Sequence, residues 1–143
     1  MFVVHHIGVV VADIEKAAQE YVDRFGYERQ TDVIHDPTQT AFVLFLRLPG
    51  DSVLVELVAP DRAESKLTQA LRRGGGLNHI CYASRDLEAA CQALRARGCF
   101  QVQPPTPAVA FGGRQIAWFV TPDGSRVELV DAAAGEVPAR ISA

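Results

Sequence analysis

Four side chains of types that bind metal ions or move protons recur in this chain as two matched pairs. His6 lies in the β-branched run FVVHHIGVVV and Glu56 in VLVELV, while His79 lies in LNHICYA and Glu128 in RVELV. Glu56 follows His6 by 50 residues, and Glu128 follows His79 by 49. Each Glu sits in a run suited to burial, where an unpaired carboxylate is costly, so it should be paired, protonated or metal-bound. One such Glu alone reads as an edge-strand charge facing water. One strand histidine alone reads as an ordinary core or surface residue. Taken together, two neutral imidazoles and two carboxylates form a mixed N/O set that one divalent cation neutralises. Without that cation the carboxylates repel each other, which raises at least one pKa.

Four protein ligands leave neighbouring positions open around such an ion, where a substrate could chelate through two adjacent oxygens. The ion would act as a Lewis acid on an enolate oxygen after loss of an α-proton. Glu128 or Glu56, at the rim, would serve as the base. His5 adjoins His6, but its counterpart in the second pair is Asn78, so the pairing selects His6.

The pairing is part of a longer internal repeat. An offset of 73 aligns His6-Ile7 with His79-Ile80, Asp13 with Asp86, Glu15 with Glu88, Ala17 with Ala90, Gln19 with Gln92 and Arg24 with Arg97. Those are 7 identities over residues 6–24, where composition alone gives roughly one or two. An offset of 72 then aligns Val55-Glu56-Leu57-Val58 with Val127-Glu128-Leu129-Val130. Two copies at this spacing indicate fused half-domains rather than a solenoid.

Each half must position one His and one Glu, and each reads as β-α-β-β-β. The first strand runs into Asp13 or Asp86 at a helix N-cap position. Ile14, Ala17, Ala18, Tyr21, Val22 and Phe25 mark one helical face, and Leu87, Ala90, Cys91 and Leu94 mark its partner, with Gly26 and Gly98 as stops. Half one then offers strands at Tyr27–Ile34, Thr40–Leu48 and Ser52–Val58. Half two offers Cys99–Gln103, a Pro-rich turn through Pro107, Arg114–Val120 and Arg126–Val130. The expected fold is α+β: two tandem βαβββ modules, about 3–60 and 77–132, whose curved mixed sheet forms a half-barrel around a metal cleft. A linker, about 61–76, carries a short helix near Ala63–Arg73, and 133–143 reads as a loose tail. One helix per half covers one sheet face, so the other face must line a cavity or meet a partner.

Composition sets the outer bounds. The chain has 143 residues, 48% hydrophobic and 22% charged, which suits a single globular domain. A formal charge of −3 without a basic block argues against nucleic acid. No apolar run is long enough to span a bilayer and no signal peptide is evident, so a cytoplasmic protein is expected. Cys81, Cys91 and Cys99 form no C-x-x-C pair and read as small buried hydrophobes. Arg62, Lys66, Arg72, Arg73 and Arg114 read as solvated charges, although they could meet substrate phosphates. His35, beside Asp36-Pro37, reads as a surface turn residue. At most one of Trp118 and Phe119 should face the cleft, since strand neighbours alternate.

The segments HHIGVVVADIEKA, VELVAP, GGGLNHICYASRDLEAA and TPDGSRVELVD resemble the vicinal oxygen chelate superfamily, the glyoxalase/bleomycin-resistance/dioxygenase fold. The likeness runs from Val4 to Asp131, and within the superfamily it is nearest to the methylmalonyl-CoA epimerases. The resemblance implies that His6, Glu56, His79 and Glu128 bind one divalent ion such as cobalt, nickel, manganese or zinc. It implies a small-molecule substrate, an acyl-CoA of the methylmalonyl type, whose α-proton is removed on one face and returned on the other. It also implies a loop, Phe111-Gly112-Gly113-Arg114, that closes over the substrate. Val43 stands where some bacterial epimerases carry an extra glutamate base. Asn78-His79 replaces a usual pair of histidines, and Thr121-Pro122-Asp123-Gly124 replaces a longer turn. A glyoxalase-type isomerase on a thiol adduct is the alternative enzyme, and a protein that only sequesters a small molecule is the non-catalytic one. Exposed sheet edges favour a homodimer, with the modules paired either within one chain or across two.

Overall fold

The computed structural model describes residues 1–137. Its helices begin where the sequence places caps. Asp13 accepts the Lys16 N–H at 3.1 Å to open α1 (Ile14–Phe25), and Gly26 closes it at φ +78°. Asp86 accepts the Ala89 N–H at 3.0 Å to open α3 (Leu87–Ala96). Between them α2 (Thr68–Arg72) is shorter than the sequence suggests. The turns before it are held by side chains instead: Ser65 Oγ donates to the Thr40 carbonyl at 2.7 Å, and Thr40 Oγ1 accepts the Lys66 N–H at 2.8 Å. Such local bonds compete with helix formation.

Among the described residues nine strands form one sheet: β1 (Val3–Val10), β2 (Glu28–Arg29), β3 (Ile34–Asp36), β4 (Ala41–Arg47), β5 (Leu54–Pro60), β6 (Gly76–Ala83), β7 (Phe100–Pro107), β8 (Gln115–Val120) and β9 (Arg126–Val130). The order is β2-β4-β5-β1-β6-β9-β8-β7, with β3 also paired to β4. The two halves join within the chain through the antiparallel β1–β6 pair, and each of these strands has a parallel partner, β5 or β9, from its own half.

Two strand expectations are corrected. The segment Tyr27–Ile34 is not one strand but β2 and then a break before β3, because the Thr31 hydroxyl takes over at that point. Thr31 Oγ1 accepts the Phe45 N–H at 3.1 Å, a place a continuous strand would fill with a carbonyl. The Pro-rich stretch is likewise strand rather than turn. Pro104 and Pro105 lie in β7, at the sheet edge beside irregularities in its pairing with β8, where a missing N–H costs nothing.

The period-2 alternation of β5 and β9 then divides the core. Val55, Leu57 and Leu129 face the helices: α1 covers one half through Ala18, and α3 covers the other through Leu87, Ala90 and Cys91. Leu54, Val58 and Val130 face the opposite, concave side with Val43, Phe45 and Ile116. The concave side is closed by a 3-10 turn (Val109–Phe111), by Leu67 and Leu71 around α2, and by Val137. The segment after β9 is therefore not a loose tail as far as residue 137; residues 138–143 lie outside the described residues.

Candidate metal centre

The ladder register explains how four distant residues converge. His6 of β1 pairs with Cys81 of β6, which pairs with Glu128 of β9. His79 of β6 pairs with Gly8 of β1, which pairs with Glu56 of β5. Each His thus reaches the Glu of the other half across one intervening residue, Cys81 in one row and Gly8 in the other. A Cβ on Gly8 would lie 2.0 Å from His79 Cε1, so no side chain fits there.

All four side chains are buried, none more than 7% exposed. His6 Nε2 stands 3.4 Å from Glu56 Oε1, 3.0 Å from Glu128 Oε1 and 3.2 Å from His79 Nε2. His79 Nε2 stands 3.3 Å from Glu56 Oε1 and 3.5 Å from Glu128 Oε1. Four donor atoms each about 2.0–2.1 Å from a common ion are separated by about 3.0–3.4 Å, so the observed spacing fits. His79 Nδ1 lies 2.8 Å from Asn78 Oδ1, which commits the Nδ1 hydrogen and leaves Nε2 facing the site. Glu128 Oε1 is buried, and beyond the two imidazole Nε2 atoms at 3.0 and 3.5 Å it has no hydrogen-bond donor among the described residues. Lone pairs converging in this way call for a positive charge between them.

The charge state of the cluster follows from the same contacts. Burial alone would lower the His6 pKa, but the carboxylates of Glu56 and Glu128 outweigh it and hold it well above the usual imidazole value. Burial likewise works against a charged His79, yet its bonds to Glu128 and Glu56 raise its pKa. Burial would raise both carboxylates, and the two histidines hold both below the usual range instead. The expected rise of one carboxylate is therefore not found: without an ion, protons on the imidazoles supply the positive charge.

The site opens on a cavity of about 560 Å³. Its walls are mostly apolar, with Val43, Val58, Ile116 and Trp118, and its polar groups include Lys66, Gln103 and Asn78. Val43 is 4% exposed, so an aliphatic wall stands where some relatives are expected to carry a base. Phe111, in the loop expected to cover the substrate, stacks on His6 with ring centroids 5.9 Å apart and 20° between planes. Trp118 meets His79 edge-on at 4.7 Å, while Phe119 packs beneath α3, as strand alternation requires.

Several residues stand apart from the site or in unexpected roles. His35 belongs to β3 rather than a turn, and its Nε2 meets Asp61 Oδ2 at 2.9 Å. Arg62 also meets Asp61, and Arg114 meets Glu136 at 2.6 Å, whereas Lys66 does reach the cavity wall. Cys91, on the inner face of α3, packs in the core, and Cys81 lies against the site, where burial drives its thiol pKa far up and keeps it protonated. His5, which the sequence pairing sets aside, is fully buried, with Nδ1 2.8 Å from His6 Nδ1. Asn78 has the matching place beside His79. The one signal the sequence carries for them is a polar residue directly before each candidate histidine in an otherwise apolar run.

A family model for the Glyoxalase/Bleomycin resistance protein/Dioxygenase superfamily matches residues 5–118, and the chain belongs to that superfamily. Among its relatives is the ethylmalonyl-CoA/methylmalonyl-CoA epimerase of Cereibacter sphaeroides, 29% identical over 129 residues, covering 87% of this chain and 94% of that one. The 2-epi-5-epi-valiolone epimerase of an Actinomyces species is 30% identical over 152 residues, covering 92% and 80%. The crystal structure of methylmalonyl-CoA epimerase from Mycobacterium tuberculosis superposes with a TM-score of 0.75 at 27% identity, covering 91% of this chain and 87% of that chain.

Proposed function

We propose that this protein is a metal-dependent epimerase that removes and returns the α-proton of an acyl thioester of the methylmalonyl-CoA type. The observation that carries the reading is the convergence of His6, Glu56, His79 and Glu128 on one point at the base of a mostly apolar cavity. The epimerases among its relatives support the choice of reaction. His6, Glu56, His79 and Glu128 hold one divalent ion, cobalt, nickel, manganese or zinc. When bound, that ion supplies Lewis acidity, which stabilises the negative charge left on a substrate oxygen as the α-proton departs.

The chain's own residues do the rest. Glu128 and Glu56, approaching from opposite halves of the sheet, are the carboxylates that take and return the proton. Phe111 and Trp118 keep water from the imidazoles they cover. Lys66 at the cavity wall offers a positive charge to an acidic substrate. In this reading the two modules, 3–60 and 77–132, act as one catalytic domain of a cytoplasmic homodimer that has neither nucleic-acid nor membrane partners.

The test has two arms. Metal analysis of the purified protein should find about one divalent ion per chain. Methylmalonyl-CoA in deuterated water should exchange its α-hydrogen in the presence of the loaded protein. No exchange by loaded protein would remove this substrate, and a metal-free protein with full exchange would remove the metal.

A further inference from the structure

His5 and Asn78 each stand one residue before a site histidine, and each is the extra residue where the β1–β6 ladder slips. Val4 pairs with Tyr82 and His6 with Cys81, so His5 has no partner; Gly8 pairs with His79 and Val9 with Leu77, so Asn78 has none. Neighbours in a regular strand point to opposite faces. A bulge re-aims the extra side chain, and here both His5 and His6 end fully buried. The two bulges do matching work. Asn78 Oδ1 lies 2.8 Å from His79 Nδ1, and His5 Nδ1 lies 2.8 Å from His6 Nδ1.

The direction of the second bond can be worked out from the far side of His5. Its Nε2 lies 2.8 Å from the Glu136 carbonyl oxygen, which can only accept, so Nε2 carries hydrogen. A His6 that ligates through Nε2 carries its hydrogen on Nδ1, and a His5 protonated on both nitrogens would then set two N–H groups against each other. Neutral His5 therefore presents a lone pair at Nδ1 and accepts the His6 Nδ1–H. That leaves Nε2, on the side of Glu56, Glu128 and His79, as the nitrogen whose proton an ion displaces.

The Glu136 carbonyl is itself fixed. Arg47 donates to the Gly135 carbonyl at 2.5 Å, Glu136 Oε2 accepts the Ala133 N–H at 2.8 Å, and Glu136 Oε1 pairs with Arg114 at 2.6 Å. Val137 packs against the concave core. The two halves thus solve one problem differently: Asn78 acts alone, whereas His5 relays to a segment 131 residues away in sequence.

We propose that His5 is a positioning residue that, backed by the Glu136 carbonyl, holds His6 in the tautomer that ligates through Nε2, making segment 133–137 part of the metal centre. The inference rests on the metal reading above. Partners of this kind, on the free nitrogen of a ligating histidine, typically account for 10- to 100-fold in metal affinity.

The experiment is zinc and cobalt binding by the full chain, by chelator competition and by the cobalt absorption spectrum, with imidazole nitrogen NMR on the zinc-loaded wild type. His5→Phe keeps a ring but neither bond, and should bind about 10- to 100-fold more weakly with an altered cobalt spectrum. His5→Asn copies the Asn78 arrangement and should recover most of that loss. Gly135→Ala strains a residue at φ +68° and crowds the Ser52 carbonyl at 3.1 Å, so it should weaken binding in the same direction by shifting the segment. NMR should show His6 protonated at Nδ1 and ligated at Nε2. His5→Phe binding as tightly as wild type with an unchanged spectrum would overturn the inference, as would His6 ligated through Nδ1. If His5→Phe does not fold, His5→Asn and the wild-type NMR decide. Wild-type protein that binds neither ion overturns the metal reading and this inference with it, and that result is seen before any variant is made.

Discussion

Ile7 of β1 pairs directly with Ile80 of β6, and these two residues are each other's equivalents in the internal repeat. A residue that faces its own counterpart across an antiparallel ladder marks a local two-fold axis. On either side of that axis lie His6 opposite Cys81 and Gly8 opposite His79. The rows His6-Cys81-Glu128 and His79-Gly8-Glu56 are therefore one arrangement used twice.

Gly8→Ala should disrupt the site. Its Cβ would overlap the His79 ring, at 2.0 Å from Cε1, and His79 is packed against Trp118 and cannot move freely. The expected cost is about 1–3 kcal/mol of stability, together with loss of metal binding. Thermal denaturation and metal analysis of the purified variant check both, and a stable variant with full metal content would refute the steric argument.

Glu128→Gln and Glu56→Gln keep shape while removing a charge. Each should reduce α-proton exchange by about 10²- to 10⁴-fold, the usual range for a lost acid-base group. Each should also weaken the ion, since the remaining donors carry one negative charge fewer. Exchange rates measured at saturating metal separate the two effects.

Metal affinity should rise with pH. In the ion-free site His6 and His79 hold their protons more tightly than ordinary imidazoles, so wherever they are protonated an entering ion must displace those protons. Affinity should fall as pH drops through those raised values and level off above them, where both imidazoles are already neutral. Competition titrations with a chelator of known pH dependence would show this slope. A flat profile across neutral pH would mean that protons are not displaced.

Thr31→Val should destabilise the fold by about 1–3 kcal/mol, because it strips the buried Phe45 N–H of its acceptor. The site lies on other strands, so metal affinity should change little. A denaturant titration checks the first expectation and an ion titration the second.

The architecture and the four candidate ligands were legible in the sequence because they rest on repetition and period. The VELV runs alternate inward and outward, and that alone sends Glu56 and Glu128 to the concave face with Val58 and Val130. The helix caps at Asp13 and Asp86 were legible for a similar reason, since capping is local chemistry. What could not be read was set by contacts across the ladder. His5 was passed over because its counterpart is Asn78, yet a bulge gives these two unlike residues the same task. The division of Tyr27–Ile34 depends on one Thr31 hydroxyl meeting Phe45, and the docking of residues 133–137 depends on Arg47 and Arg114, far earlier in the chain. Val43 was expected to stand where a glutamate base could be, and only the cavity shows it in the wall beside Ala41 and its ladder partner Val58.

The two-fold relation of the rows has a stereochemical consequence. Deprotonating an α-carbon leaves it planar, and the result has two faces of nearly equal energy. A catalyst that interconverts configurations must deliver a proton to either face, whereas most enzyme sites present one set of groups on one side only. Here Glu56 comes from one half and Glu128 from the other, so in the proposed reaction each face meets a carboxylate carried by the same kind of strand. Gene duplication, by making the cradle twice and folding the copies against each other, would supply this even-handedness without a separate invention. The residues between His and Glu, Gly8 on one side and Cys81 on the other, are where the two rows differ.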